Sequence, residues 1–293
     1  LTLNSLGDEA SLDLGDARRT ARLSTILKAL AACPSSSFPK LFEVKAGLEG
    51  AYRLLENGAF GWRDIQAGHV ARTLERCAFA DEVLVLHDTT DIAFKMHDPD
   101  RTRDGLARVS AQRQGYSWHV AFAVGNYDVP MPLGLLASQP FVHNRHLERT
   151  GNADTSAFWH DEGGVYENEF RRWFDQVDAV RAQFADRPTQ PIHVFDREAD
   201  SAPFLNALLV HDDRFVIRVS RLDRRLDADH RKLADVLSGV PFVARSTVRL
   251  GFRTQFRAPS NLKKHPERKE REAMLEFRAT KVNIDLRGHK RAG

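Results

Sequence analysis

The chain has 293 residues, of which 42% are hydrophobic, so it can bury a core as one large domain or as two smaller ones. It contains neither an apolar stretch of about 18 residues nor a secretory signal, so we expect a cytoplasmic protein that does not enter a membrane. Cys33 and Cys77 lie far apart and outside any Cys-x-x-Cys pair, which argues against a disulfide framework and a zinc ribbon.

The net charge of +3 is divided unevenly along the sequence. Residues 221–293 carry 19 Lys or Arg against 9 Asp or Glu, a balance of +10, which leaves 24 against 31, or −7, for residues 1–220. We interpret the basic C-terminal part as a surface that binds a polyanion. The alternative is a charged surface that is simply solvated.

Helices are predicted in the N-terminal part. The first begins after Asp16, a plausible N-cap, and carries an apolar stripe that ends before Pro34. The second is predicted over residues 41–56 and the third over residues 62–76. These helices form a compact unit that ends near residue 78.

Arginines are concentrated at the start of the first helix, as Arg18, Arg19 and Arg22. Cations there oppose the positive end of the helix dipole, at a cost of some tenths of a kcal/mol each. A bound phosphate would offset this cost, because amide and guanidinium groups would converge on one anion. The alternative is a solvated face with local pairing to Asp13 or Asp16, and these residues alone leave both interpretations open.

From Glu82 onward, short apolar runs predict strands, and helical periodicity recurs between them. The predicted strands are residues 83–86, 117–124 and 131–138, a strand that begins at Ile192, and residues 215–219. The predicted helices are residues 168–185 and 203–210. Strand, helix and strand in succession predict a sheet with a parallel portion.

Beyond Leu237 the pattern is typical of antiparallel strands, with arginine and lysine side chains on one face. The strands are predicted over residues 240–244, 246–251 and 276–285. A charged turn is predicted over residues 261–271.

Two aspartates each follow a short apolar run. Asp88 follows Val83-Leu-Val-Leu-His, and Asp196 follows Ile192-His-Val-Phe. Such runs predict buried strands, so each carboxylate should lie in the middle or at the carboxyl end of a strand. A single aspartate in this position is most often a turn or cap residue. Two that meet there would bind a divalent metal ion.

Five sequence words occur in order along the chain. They are Leu14-Gly-Asp-Ala-Arg-Arg-Thr-Ala-Arg-Leu23, Ala51-Tyr-Arg53, Asp88-Thr-Thr90, Gly115-Tyr-Ser-Trp-His119 and Asp196-Arg-Glu-Ala-Asp200. Together they resemble the bacterial DDE transposases of the insertion-sequence-four family, typified by the transposase of transposon five. The resemblance covers nearly the whole chain.

The resemblance implies an α/β fold with an RNase-H-like catalytic core. On this view residues 1–77 form a small all-helical domain that binds transposon-end DNA. Residues 78–238 form the first part of the core, and residues 239–293 form the start of a β-rich insertion. The implied activity is cut-and-paste DNA transposition.

The resemblance also implies the site residues. Asp88 and Asp196 correspond to the first two members of the acidic triad. They would bind two divalent ions, Mg²⁺ or Mn²⁺, which serve phosphodiester hydrolysis and strand transfer by stabilising the attacking and leaving oxygens. The implied partners are double-stranded DNA, as transposon ends and target, and a second copy of the chain in a homodimer. The implied location is the bacterial nucleoid.

Basic residues match the family by position as well. Arg22 and Arg53 match residues that contact the transposon end, and Arg218 matches a basic residue close to DNA near the active site. The resemblance therefore favours DNA binding by the cluster that includes Arg18 and Arg19. Phosphate contacts of this kind would make binding fall steeply with salt.

The chain departs from the family pattern at the third acid, a glutamate in a Tyr-x-x-Arg-x-x-x-Glu helix. The 97 residues after Asp196 contain no such motif. The glutamates of the charged C-terminal stretch are interpreted as solvated; they are Glu267, Glu270, Glu272 and Glu276. We therefore expect a C-terminally truncated transposase that is poorly active or inactive alone.

Two alternatives remain open. The first is a catalytically silent DNA-binding protein that occupies transposon ends or inhibits transposition. The second is an unrelated RNase-H-like nuclease. Such a nuclease would keep both aspartates, but it has no reason to carry the words at Leu14–Leu23 and Ala51–Arg53.

Overall fold

The computed structural model describes residues 12–96, 103, 106–110, 113–125, 129–142, 169–226, 231–254 and 267–283. The chain folds as two units, residues 1–218 and residues 219–293. In the part of the chain that the structure describes, no helix is both long enough and apolar enough to cross a bilayer.

The first unit begins with helices. They are α1 (Ala17–Ala32), a 3-10 helix (Phe38–Leu41), α2 (Lys45–Leu55) and α3 (Trp62–Cys77). Asp16 caps α1 as predicted, because its carboxylate accepts hydrogen bonds from the backbone N–H groups of Arg18 at 2.8 Å and Arg19 at 3.3 Å. The predicted helical N-terminal part is therefore confirmed.

The predicted start of the second helix is wrong. α2 begins at Lys45 and not at residue 41, because the chain forms the 3-10 helix and then extends through Phe42 and Val44. The extended segment brings the Phe38 and Phe42 rings edge to face, with their centroids 5.5 Å apart. Both rings pack against the small core shared by α1 and α2. Apolar residues that were predicted to begin the second helix thus belong to the packed segment that connects α1 to α2.

A mixed sheet of six strands follows the helices. Its strands are β1 (Glu82–Lys95), β2 (Ala107–Ser110), β3 (Arg113–Gly125), β4 (Met131–Phe141), β5 (Gln190–Phe195) and β6 (Arg214–Ile217). The strand order is β2-β3-β1-β5-β6, and β4 also pairs with β3. The first four strands pair antiparallel, whereas β1, β5 and β6 run parallel. The predicted α/β class, hairpin and parallel portion are confirmed.

Helices connect the later strands. α4 (Glu169–Phe184) precedes β5, and α5 (Ala202–Val210) links β5 to β6, close to the predicted bounds. Ser201 caps α5, with its hydroxyl accepting from the Phe204 N–H at 3.4 Å. The odd-numbered residues Val83 and Val85 of β1 are fully buried in a core that α4 covers. The opposite face of β1 is therefore the more exposed one.

β1 and β3 are longer than predicted, and β2 was not predicted. β1 continues past the apolar run because its polar residues still pair with β3, from Asp88 opposite Val120 to Lys95 opposite Arg113. Backbone pairing, and not hydrophobicity, maintains the strand there. At Gly115 a Cβ would lie 2.0 Å from the carbonyl oxygen of Ile92, so only glycine fits on β3 at that position.

α3 packs directly against β4 and so connects the helices to the sheet. Arg76 Nε donates to the carbonyl oxygen of Leu133 at 2.6 Å, and the Leu135 N–H donates to His69 Nε2 at 3.0 Å. Between them Gly134 has φ +135°, and a Cβ there would lie 2.3 Å from Thr73 Oγ1. The glycine permits this close approach of strand and helix.

The second unit contains α6 (Leu233–Gly239) and an antiparallel pair, β7 (Phe242–Leu250) and β8 (Arg271–Arg278). The prediction of two strands over residues 240–251 is wrong, because β7 is continuous and has only an irregular register near Ala244. The prediction that the last strand begins at residue 276 is also wrong, because β8 begins within the predicted charged turn.

Ion pairs explain the shift of β8. Arg245 pairs with Glu276 at 3.2 Å, and Arg249 pairs with Glu270. Arg271, the last residue of the predicted turn, thus belongs to a paired strand, whereas residues 261–266 of that turn lie outside the described residues. Arginines do share one face of the ribbon, but Glu272 and Glu276 lie opposite them in register. The face that carries the arginines therefore also carries glutamates, and the four glutamates of this stretch are exposed, as predicted.

Candidate functional site

Asp88 lies on β1, and Asp196 directly follows the neighbouring parallel strand β5. The register of β1 and β5 sets Leu86 opposite Val194, and each aspartate lies two residues further along. Adjacent strands are about 4.8 Å apart, and residues in register share a face of the sheet. Both aspartates are exposed. The register of the two strands therefore predicts that the two carboxylates lie on the exposed face of the sheet.

Asp196 also has a structural role. It follows the last residue of β5 with an extended backbone, and its carboxylate accepts from the Glu198 N–H at 2.8 Å. The cap that the sequence offered as the alternative is therefore present here. Asp88 lies in the middle of β1, and no described group donates a hydrogen bond to its carboxylate. Capping therefore does not account for Asp88.

Arg218 extends the same row onto a third strand. β5 and β6 set Phe195 opposite Ile217, so Arg218 follows in register with Asp196. Its N–H donates to the carbonyl oxygen of Phe195 at 3.1 Å, and its side chain is exposed. We call Asp88, Asp196 and Arg218 the strand-end row. It sets one cation beside two carboxylates just beyond the last parallel pairs of β1, β5 and β6.

The donor set of the strand-end row suits a hard divalent cation. Carboxylate oxygens are the ligands that Mg²⁺ and Mn²⁺ prefer in proteins. Within the described ranges, no group of three His, Cys, Asp or Glu side chains is placed to hold a metal ion. Asp88 and Asp196 are therefore the candidate ligands at this edge of the described structure.

The arginines of α1 lie on one side of the helix. Arg22 is four residues after Arg18 and three after Arg19, spacings that bring side chains to the same face. Arg18 pairs with Asp16 at 3.5 Å but is 94% exposed, so this ion pair contributes little to stability. Arg19 donates to the carbonyl oxygen of Leu14 at 3.5 Å. Local pairing thus occurs without removing these cations from solvent.

α2 completes this basic surface. The Arg22 guanidinium lies against Gly50 of α2, and Arg53 follows Gly50 by three residues on the same helix. Arg53 pairs with Glu49 at 3.4 Å, and both side chains are largely exposed. We call Arg18, Arg19, Arg22 and Arg53 the arginine surface.

The arginine surface stands on a core of its own. Five buried residues of α1, α2 and the preceding loop form it: Leu14, Leu23, Ile26, Ala51 and Leu54. Residues 8–60 match the transposase DNA-binding family. The match spans α1 and α2 and includes all four arginines. It supports a transposase with DNA as its partner.

The match ends before α3, so the strand-end row lies outside it. The functions assigned to the helical part and to the sheet therefore rest on different observations. A family match supports DNA binding by the first. Strand register, donor chemistry and the resemblance in sequence words support a metal site at the second.

Sequence reasoning missed a cluster of buried histidines on the opposite face of the sheet. His87 Nε2 and His193 Nδ1 are 2.9 Å apart and share a hydrogen bond between β1 and β5. His119 Nδ1 shares another with Thr89 Oγ1 at 2.7 Å. The alternation of Val83, Val85 and His87 was a usable signal, because it sets His87 on the buried face.

Burial determines the charge of these histidines. It lowers the pKa of His193 to about 4, and it lowers the pKa of His119 to about 4 with a further contribution from the Arg172 guanidinium. It also lowers the pKa of His87 well below its ordinary value. All three rings are therefore neutral at pH 7. They pack with Trp173 and Phe195 directly behind the strand-end row.

Proposed function

We propose that this chain is a DDE transposase of the insertion-sequence-four family and acts in cut-and-paste DNA transposition. The observation that carries the proposal is the match of residues 8–60 to the transposase DNA-binding family. The sequence words at Asp88 and Asp196 support the finer assignment. The register of β1 and β5 supports a shared metal site, because Asp88 and Asp196 each lie two residues beyond the pair Leu86 and Val194.

The sheet supports an RNase-H-like core. β4, β3 and β1 pair antiparallel, and β5 and β6 continue the sheet in parallel with β1. This mixed order, with helices before β5 and β6, is the one expected of an RNase-H-like sheet. In this proposal the first acid, Asp88, lies on the central strand, and the second, Asp196, directly follows the neighbouring strand.

In this proposal the arginine surface binds the DNA backbone of the transposon end. Arg22 and Arg53 contact phosphates, and Arg18 and Arg19 add positive charge beside them. Guanidinium groups suit this task because they donate paired hydrogen bonds to phosphate oxygens. Target DNA and a second copy of the chain are further partners, and both rest on the resemblance alone.

The strand-end row is proposed to act on the scissile phosphate. Asp88 and Asp196 would hold the divalent ions, Mg²⁺ or Mn²⁺. When bound, such ions stabilise the attacking and leaving oxygens of an in-line displacement at phosphorus. Asp196 keeps its orientation through the Glu198 N–H, and Arg218 attracts the phosphate towards the row. The neutral histidines behind the sheet exclude water from its buried face.

A second candidate function is DNA binding without efficient strand cleavage. The donor set favours it, because the described residues bring two carboxylates to this edge and no third ligand. Two carboxylates bind divalent ions weakly. In this case the chain would occupy transposon ends and inhibit transposition.

The test uses DNA cloned from both flanks of the coding region, where transposon ends would lie. Wild-type chain, Asp88→Asn and Asp196→Asn are compared for binding in a gel-shift assay and for Mg²⁺-dependent nicking. The transposase proposal expects all three to bind, with weak nicking by the wild type and none by the two variants. Binding without nicking by all three favours the silent protein. Failure of the wild type to bind would overturn both.

A further inference from the structure

Gly50 lies in the middle of α2, where a glycine is costly. Glycine loses more backbone freedom than alanine on entering a helix, so it destabilises a helix interior. α2 runs from Lys45 to Leu55, and Gly50 is neither a cap nor a residue with positive φ. Its conformation therefore gives no reason for the choice of glycine.

The surroundings of Gly50 give a reason. The three atoms nearest to the place of a Cβ all belong to the Arg22 guanidinium: Cζ at 3.0 Å and the two terminal nitrogens at 3.2 Å each. The planar group thus lies flat on the bare backbone of α2. A methyl group there would be closer to the guanidinium than most Cβ contacts are, so the guanidinium would have to shift by a few tenths of an ångström.

The Arg22 guanidinium keeps its donors while it lies there. Among the described residues, no acceptor takes a hydrogen bond from it. Helix α2 therefore supports the group sterically and leaves its N–H groups available for a ligand. Arg53, one turn further along α2, lies on the same side of the helix.

We propose that Gly50 is a positioning residue for DNA binding, and that its missing side chain holds Arg22 in the orientation in which it contacts a backbone phosphate. The inference rests on the proposed binding of DNA by the arginine surface. It goes further by assigning a role to an uncharged residue that touches no DNA.

α2 offers a matched control. Gly47 lies three residues before Gly50 in the same helix, and a Cβ there would meet the Phe42 ring at 3.5 Å, an ordinary van der Waals distance. Gly47→Ala and Gly50→Ala therefore make the same gain in helix propensity. Only Gly50→Ala displaces Arg22.

The experiment measures binding by fluorescence anisotropy to a labelled duplex of about 30 base pairs, over about 50 to 200 mM NaCl. A mixed-sequence duplex is sufficient because phosphate contacts do not depend on sequence. The full chain is used as wild type, Gly47→Ala, Gly50→Ala, Arg22→Ala and Gly50→Ala/Arg22→Ala. Thermal unfolding of each variant is recorded in parallel.

Gly50→Ala should weaken DNA binding at least about threefold. It should also lower the slope of log affinity against log salt concentration by at most about 0.9, the value expected for one phosphate contact. It should unfold no earlier than the wild type. Gly47→Ala should bind as the wild type does. In the Arg22→Ala background, Gly50→Ala should have no further effect, because the group that it displaces is already gone.

Two results would overturn the inference alone: wild-type affinity in Gly50→Ala, or an equal loss from Gly50→Ala with and without Arg22. The salt slope and the double variant separate a positioning role from a purely structural one. If Arg22→Ala binds normally, the DNA contact proposed for Arg22 fails, and the role of Gly50 fails with it. If the wild-type chain does not bind the duplex, the proposed function itself is wrong.

Discussion

The arginine surface and the strand-end row are built in different ways. The arginine surface consists of long, exposed side chains on two helices over a core of five buried residues. The strand-end row consists of two aspartates and one arginine whose places follow from the register of three strands. DNA affinity should therefore decline gradually as arginines are removed. Metal binding by the strand-end row should be lost completely when the pairing of its strands is disturbed.

The largest expected effect is the loss of the core behind the strand-end row. Phe204 is fully buried on α5 and packs against Trp173 and Phe195. Phe204→Ala should lower the free energy of unfolding by about 3–5 kcal/mol, measured by urea denaturation. Leu209, on the same helix, is 58% exposed. Leu209→Ala should change stability by less than about 0.5 kcal/mol, and equal losses from the two would contradict this account of the core.

The second largest expected effect is destabilisation of the sheet by acid. The pKa values of His119 and His193 fall from an ordinary 6.5 to about 4 on folding, so the unfolded chain binds more protons. The histidines do not reduce the free energy of unfolding at pH values above their pKa in the unfolded chain. The free energy of unfolding declines as the pH falls from about 6.5 towards 4. At pH 5 each histidine should cost about 2 kcal/mol relative to pH 7.

Urea denaturation at both pH values checks the acid effect. His119→Gln should reduce the difference between pH 7 and pH 5, because one buried titrating group is gone. His211→Gln, a substitution of an exposed histidine, serves as the matched control. A stability that does not change between pH 7 and pH 5 would mean that the buried rings already carry protons or are solvated.

The sequence predicted α1, α4 and α5 well because caps and helical periodicity are local signals. It could not predict the full length of β1, since polar residues there are held by pairing with β3 and not by their own hydrophobicity. β8 was misplaced for a related reason, because its charges resemble a turn until Arg245 and Glu276 are seen to pair.

Some features of the candidate site were likewise predictable from local sequence, and others were not. The sequence words identified Asp88 and Asp196, but 108 residues separate them, and no local pattern states that β1 and β5 are neighbours. The Arg22 contact with Gly50 depends on how two helices pack, which a single sequence does not reveal. The alternation of Val83, Val85 and His87 indicates a buried His87, so this part of the histidine cluster was predictable from the sequence.

Metal binding tests the strand-end row by itself. Asp88→Asn should weaken Mn²⁺ binding, measured by isothermal titration calorimetry, by at least about tenfold, because it removes one of two carboxylate ligands. Asp91→Asn is the matched control, since Asp91 lies on the same strand and accepts a hydrogen bond from Ser117 at 2.7 Å. Equal loss from both variants would argue against a specific site at Asp88.

The smallest expected effect concerns the base of the arginine surface. Asp16→Ala removes the cap of α1 and should cost about 1 kcal/mol of stability in thermal or urea unfolding. Asp13→Ala is a suitable comparison, because Asp13 bonds to the Gly15 N–H outside the helix. If Asp13→Ala costs as much as Asp16→Ala, the cap is not what anchors α1.

DNA binding by two double variants tests most directly whether the two surfaces serve separate steps of one transposase. Affinity for the DNA that flanks the coding region is measured for Arg22→Ala/Arg53→Ala and for Asp88→Asn/Asp196→Asn. The arginine variant should lose at least about tenfold in affinity and about 1.8 in salt slope, and the aspartate variant should bind as the wild type does or more tightly. Wild-type affinity in the arginine variant would contradict the assignment of DNA binding to α1 and α2.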